Sequence, residues 1–179
     1  MTTGHVFIAT TLDGFIARND HRLDWLEKQT SEGEEYGYAA FMDSMDGVIM
    51  GRLTFEKVLT FPEWPYEKPV IVMSRTLDES AIPDYLQQRV QVTRLEPAAL
   101  MALLSESGWQ RAYVDGGQII QAFIREGLIE DLAITLVPIL IGQGIPLFGD
   151  IADDIDMQLI SSTAFPSGLV HHRYRIAKN

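Results

Sequence analysis

The sequence predicts an α/β fold, a twisted and mostly parallel sheet covered by helices on both faces. Three observations carry this expectation. Short runs rich in Val and Ile alternate with helical patterns along most of the chain. The runs are continuously apolar, as in strands buried on both faces of a parallel sheet. The chain then closes in two strands joined by Pro166-Ser167-Gly168, a hairpin-turn composition that makes the end of the sheet antiparallel.

The elements follow in order. A first strand is expected over 6–11 (VFIATT). Ser31-Glu32-Gly33-Glu34 resembles a capping box and predicts a helix running to about Ser44, with Tyr38, Phe41, Met42 and Met45 at helical spacing. A strand at 47–50 leads into a second helix just after Gly51, and strands at 69–73 and 90–93 follow. Glu96-Pro97 opens a third helix, because proline suits a first helical turn. A strand at 111–114 leads into a fourth helix that starts at Gly116-Gly117 and stops at Gly127. Strands at 132–137, 157–164 and 169–177 complete the sheet, and the alternation gives a three-layer α/β/α architecture.

The 179 residues fit one domain over 1–179. A chain of this size buries roughly two-thirds of its unfolded surface, so its core needs no covalent staple. Cysteine is absent, which excludes disulfides, thiolate nucleophiles and Cys-based metal sites. The four histidines are scattered, and His171 and His172 point to opposite faces of their strand, so no metal site is expected. With 14 basic and 25 acidic residues the net charge is -11, which disfavours nucleic acid and anionic membranes as partners. No apolar stretch reaches the roughly 18 residues of a membrane span, and Met1-Thr2-Thr3-Gly4-His5 does not resemble the start of a signal peptide. A cytoplasmic protein is expected.

In an open α/β sheet, ligands bind beyond the carboxyl ends of the strands. Three strand exits therefore matter. At Met50-Gly51-Arg52-Leu53-Thr54 a glycine precedes a helix start, whose free N–H groups attract phosphate; Arg52 and Thr54 could add donors. At Asp115-Gly116-Gly117-Gln118 paired glycines remove the side chains that would block backbone N–H groups. At Val72-Met73-Ser74-Arg75 a basic residue stands where an acid would read a ribose 2′-hydroxyl, which favours a 2′-phosphate and hence NADP over NAD. Each exit, taken alone, is also compatible with an ordinary turn. Gly142-Gln143-Gly144 lacks a third glycine and opens no helix, so it is not a dinucleotide fingerprint.

The exits occur in a known order. With Leu12-Asp13-Gly14-Phe15-Ile16-Ala17, Asp24-Trp25-Leu26 and the segment from Leu136-Val137-Pro138 to Pro146-Leu147-Phe148, the chain resembles the dihydrofolate reductase superfamily. The closer resemblance is to the branch holding the reductase domain of riboflavin-biosynthesis deaminase-reductases, which includes stand-alone bacterial members. It spans roughly residues 5 to 148. It implies NADPH across the strand ends, with Ala9 and Ile16 near the nicotinamide and Gly51, Arg52 and Thr54 at the phosphates. Ser74 and Arg75 would meet the 2′-phosphate. Gly116 and Gly117, joined by a peptide often cis in this superfamily, would support the pyrophosphate with Gln118 and Ile119. Two departures stand out. Dihydrofolate reductases carry a carboxylate on the first helix, where this chain has Glu34 and Glu35 in no secure alignment. The riboflavin enzymes need basic residues for a ribose phosphate, and no such cluster is visible.

The resulting expectation is an NADPH-dependent oxidoreductase. It would move hydride to a C=N or C=O bond of a small heterocyclic or sugar-derived compound, similar to 5-amino-6-(5-phosphoribosylamino)uracil reductase or dihydrofolate reductase. Asp13 and Glu35 are the candidates for orienting or protonating the substrate, and Trp25, Tyr36 and Phe41 for walling its pocket. The apolar run 134–148 is a candidate homodimer surface, as in relatives. The alternative is a nucleotide-binding module of the same fold without turnover.

Overall fold

The computed structural model describes residues 1–29 and 33–177. Strands β1 (Thr3–Thr11), β3 (Gly47–Gly51), β4 (Val70–Met73), β5 (Val90–Thr93), β6 (Arg111–Asp115), β7 (Ile129–Val137), β9 (Met157–Ala164) and β10 (Val170–Ile176) form one sheet in the order β5-β4-β3-β6-β1-β7-β10-β9. The pairs from β5 across to β7 are parallel, and β10 runs antiparallel to both β7 and β9. Every strand predicted from the apolar runs is present, and β9 alone lies exposed along its length at the sheet edge.

Helices cover both faces. On one, α4 (Pro97–Glu106) and α5 (Gly117–Arg125) bury Leu100, Met101, Leu104, Ile120 and Phe123 against Val6, Ile49, Val114 and Leu132. On the other, α3 (Arg52–Val58) buries Phe55 and Val58 against Val48, Met50, Val70 and Val72. Beside it lie two short helices, α1 (Asp24–Glu27) and α2 (Tyr38–Asp43).

The pairing places the opening. Strand β1 pairs with β6 only as far as His5↔Tyr113, while it stays paired with β7 to Thr11↔Val137 and β6 stays paired with β3 to Met50↔Asp115. The carboxyl ends of β1 and β6 therefore part at the middle of the sheet, the kind of crevice where α/β proteins bind ligands. The Tyr113 hydroxyl bridges the base of the gap by donating to the Phe7 carbonyl at 2.9 Å.

Two expectations change. The helix predicted from the Ser31-Glu32 pattern starts at Tyr38; Ser31 and Glu32 lie outside the described residues, and Glu34 to Tyr36 are not helical. Gly37 stands at φ 83 just before the helix, a left-handed kink that ends any helical path from the acidic segment. Among the described residues no peptide is cis, so the Gly116–Gly117 bond is trans, and Gly116 turns the chain through φ 91. Within the run 134–148, the candidate homodimer surface, Ile134, Val137 and Leu147 are buried and Leu140 and Phe148 are exposed. A small second sheet, β2 (Phe15–Ala17) with β8 (Ile145–Pro146), was not anticipated; it folds the two apolar loops together.

Candidate functional site

A cleft of about 730 Å³ lies over the gap between β1 and β6. It is lined at once by Ala9 and Ile16, by Gly51, Arg52 and Thr54, by Ser74, and by Gly116, Gly117, Gln118 and Ile119. The three strand exits singled out in the sequence thus meet in one concave surface.

The glycines there are required by contact. A Cβ on Gly116 would collide with the Thr54 hydroxyl, and one on Gly117 would come within 2.7 Å of Ile16 Cδ1 and 3.3 Å of the Pro146 carbonyl. A Cβ on Gly51 would stand 3.1 Å from Ile119 Cγ1. The two glycine exits are therefore packed directly on each other. Helix α5 starts at Gly117 with no side-chain cap. Its first-turn N–H groups remain available beside the cleft, as an anion site requires. Arg52 is exposed, and among the described residues its one ion-pair contact is a long one with Glu56, at 3.7 Å.

Arg75 does not line the cleft. It points out from the end of β4, and its guanidinium donates to Glu96 at 2.5 Å, with both side chains mostly exposed. Ser74, which does line the cleft, accepts from the N–H groups of Thr76 and Leu77 and so shapes the turn that carries Arg75.

The two carboxylates proposed for chemistry are engaged elsewhere. Asp13 accepts from the Thr11 hydroxyl at 2.6 Å and from the N–H groups of Ile141 and Gly142 at 3.1 and 2.8 Å. The Thr11 bond leads in holding its carboxyl below the ordinary range, against desolvation and with the help of the Gly142 and Ile141 N–H groups. Asp13 thus staples the turn after β1 to the loop after β7. Glu35 is exposed and accepts from Gly37 N–H at 2.7 Å. Its neighbour Glu34 is opposed by desolvation, yet hydrogen bonds from Ser167 and Tyr36 prevail and hold its carboxyl low. Glu34 ties its segment to the β9–β10 turn.

The aromatic residues proposed as pocket walls are packing residues. Trp25 is fully buried on Val137 and Leu169. Tyr36 packs edge-on against Phe165, with ring centroids 4.6 Å apart. Phe41 packs on Phe7 and Tyr113, both at 5.2 Å.

One carboxyl does line the cleft, that of Asp115 at the end of β6. It is half-buried and accepts from its neighbour Gly116 N–H at 2.8 Å. Burial pushes its pKa up to about 6, against the smaller opposing effects of Gly116 and Tyr113. Around it stand Tyr38, Tyr66 and Tyr113, whose phenols burial pushes upward, Tyr38 to about 12. Asp115 belonged to a motif visible in the sequence, but its burial depends on where β1 and β6 part, which no local pattern reports. Also unanticipated are Asn19, His21, Leu23 and Leu26 from the loop before and within α1, and Lys57, Phe61 and Tyr66 beyond the start of α3. His21 is the one non-glycine with positive φ among the described residues, at φ 64, and a bidentate Arg18–Asp24 pair at 2.6 and 3.0 Å closes its loop. Among the described residues no group of His, Asp and Glu is placed to hold a metal, and no helix is long and apolar enough to cross a membrane.

Comparison with known proteins is consistent with this geometry. The family model of the RibD C-terminal domain matches residues 3–171. The uncharacterized protein YwjB of Bacillus subtilis (strain 168) is 32% identical over 174 residues, covering 95% of this chain and 96% of YwjB. A crystal structure from Shewanella sp. PV-4, provisionally named for riboflavin biosynthesis, superposes with a TM-score of 0.92 at 36% identity, covering 99% of this chain and all of that one. Dihydrofolate reductase from Enterococcus faecalis, solved with NADP(H) and RAB-propyl, shares the fold at a TM-score of 0.63 and 15% identity, covering 98% of this chain and 97% of that one.

Proposed function

Because the chain belongs to the RibD C-terminal domain family, a family of reductases, we propose that it is an NADPH-dependent reductase acting on a C=N or C=O bond of a small heterocyclic or sugar-derived compound. The observation that carries this reading is the meeting of two side-chain-free glycine exits and the uncapped start of α5 at the gap between β1 and β6. Backbone N–H groups that a Cβ would cover suit a pyrophosphate. The bound nicotinamide would supply the hydride.

The chain's own residues have three tasks. Gly51, Arg52 and Thr54 on one side and Gly116, Gly117, Gln118 and Ile119 on the other would hold the phosphates. Ala9 and Ile16 would line the slot for the nicotinamide. Asp115 takes the role first sought in Asp13 and Glu35. A carboxyl with a pKa of about 6 at the floor of the cleft can hold a proton near neutrality and deliver it to the heteroatom of the reduced bond.

The test is NADPH oxidation, followed by absorbance, with a panel of cyclic imines, lactams and sugar-derived ketones. Acceptor-dependent oxidation supports the reading. NADPH binding without oxidation by any acceptor would favour the non-catalytic alternative.

A further inference from the structure

Asp115 sits in the phosphate loop itself. Its Oδ1 accepts from the N–H of Gly116 at 2.8 Å, and both residues line the cleft. Gly116 stands just before α5, where the backbone turns its N–H groups toward an incoming anion. The first N–H of this glycine exit is therefore already taken by an acceptor, and that acceptor belongs to the protein.

The surroundings of Asp115 give its charge little support. Three phenols lie within its electrostatic reach: Tyr113 on its own strand, Tyr38 on α2 and Tyr66 in the segment after α3. All three stay neutral, because burial pushes their ionisation upward. The Tyr113 hydroxyl donates to the Phe7 carbonyl at 2.9 Å, so its one hydrogen is committed there. The basic side chains of the cleft lining are Arg52 and Lys57 on α3 and His21 in the loop before α1. None of them contributes to the balance at Asp115, in which burial outweighs the Gly116 N–H and Tyr113. A carboxylate so placed takes up a proton when a second negative charge arrives beside it.

We propose that the cofactor's phosphates compete with the Asp115 carboxylate for the Gly116 N–H, so that the cofactor binds together with a proton taken up by Asp115. This rests on the reductase reading above and concerns the regulation of the same site. An anionic Asp115 covers the N–H and repels phosphate; a protonated one is a weaker acceptor and yields it. The proton taken up is the one the reduction consumes. The carbon of the acceptor's double bond takes the hydride and its heteroatom takes the Asp115 proton, leaving the nicotinamide oxidised and the carboxylate re-formed. Asp115 then regains the Gly116 N–H, which favours release of the spent cofactor.

Calorimetry at pH 7 in buffers of different ionisation enthalpy counts the protons taken up on binding, with NADPH and NADH as ligands. NADH is the decisive one, because it lacks the 2′-phosphate, whose own second ionisation falls at about pH 6. Asp115 is protonated in the free protein only below about 6. NADH should therefore bind with uptake of roughly half a proton or more, and its affinity should fall severalfold from pH 6 to pH 8. Asp115→Asn keeps an oxygen acceptor and loses the ionisable group. It should bind NADH without uptake and with an affinity that is flat over the same range. His21→Gln should leave the uptake in place; an imidazole is the other kind of group in this lining that titrates near neutrality. Melting temperatures report whether each variant is folded. Binding of NADH without proton uptake, equal uptake in wild type and Asp115→Asn, or loss of uptake in His21→Gln would overturn the coupling and leave the cofactor reading intact. Absence of binding by either cofactor would overturn both.

Discussion

The Thr54 hydroxyl lies against Gly116, in the place a Cβ on that residue would occupy. This contact locks the exit of β3 to the exit of β6. Gly116 also stands at φ 91, a conformation that favours glycine. Gly116→Ala therefore meets both a collision and backbone strain of about 1–3 kcal/mol. The variant should lose stability by that order and bind NADPH at least tenfold more weakly. Thermal unfolding and calorimetry on the same sample check both effects.

The Arg75–Glu96 pair predicts how cofactor choice responds to charge. If Arg75 leaves Glu96 to meet a 2′-phosphate, Arg75→Ala removes a charge-assisted contact worth roughly 1.5–3 kcal/mol, weakening NADPH at least tenfold with little effect on NADH. Glu96→Gln frees Arg75 and should tighten NADPH by a few-fold at low salt, since an exposed pair contributes at most about 1 kcal/mol. Paired titrations with the two cofactors measure the split. Equal losses for both in Arg75→Ala would place Arg75 outside the recognition of the 2′-phosphate.

Asp115 sets an opposite pair of pH effects. Its pKa is raised to about 6 in the folded protein, so the folded state holds the proton more tightly than the unfolded one. That contribution to stability is complete at acid pH and is lost as pH rises through about 6. Asp115→Asn should therefore raise stability at pH 7 to 8, by about 1–3 kcal/mol. The same substitution should lower kcat and remove the fall in kcat/KM as pH rises through the Asp115 pKa. A pH-rate profile identical in the two proteins would exclude Asp115 as the proton donor.

Asp13 predicts a structural outcome. Asp13→Ala removes an acceptor shared by Thr11, Ile141 and Gly142. It should lower the melting temperature and raise KM through loosening of the loops, with the pH dependence of turnover unchanged. Loss of a titrating limb in the rate profile would return Asp13 to a chemical role.

The fold was legible from the apolar runs, because strands buried between helices on both faces need uninterrupted apolar sequence. The phosphate loops were legible for a related reason: Gly51 and Gly116-Gly117 sit where a side chain is excluded, and the exclusion is written as glycine. The rest of the site was not. Trp25, Tyr36 and Phe41 are large aromatic side chains, and nothing in their spacing distinguishes a core face from a cleft wall; Trp25 proves buried on Val137 and Leu169. Asp13 and Glu35 stood in the right regions, but their hydrogen bonds to Gly142 and Gly37 come from loop geometry. Asp115 faces the cleft where β1 and β6 separate, a relationship between residues more than a hundred positions apart.

The central claim is that the two glycine exits hold NADPH. Calorimetry of the purified protein with NADPH and NADH tests it most directly. The account predicts saturable one-to-one binding of NADPH, tighter than NADH, and abolished or strongly weakened in Gly116→Ala. Absence of binding by either cofactor to folded protein would contradict it.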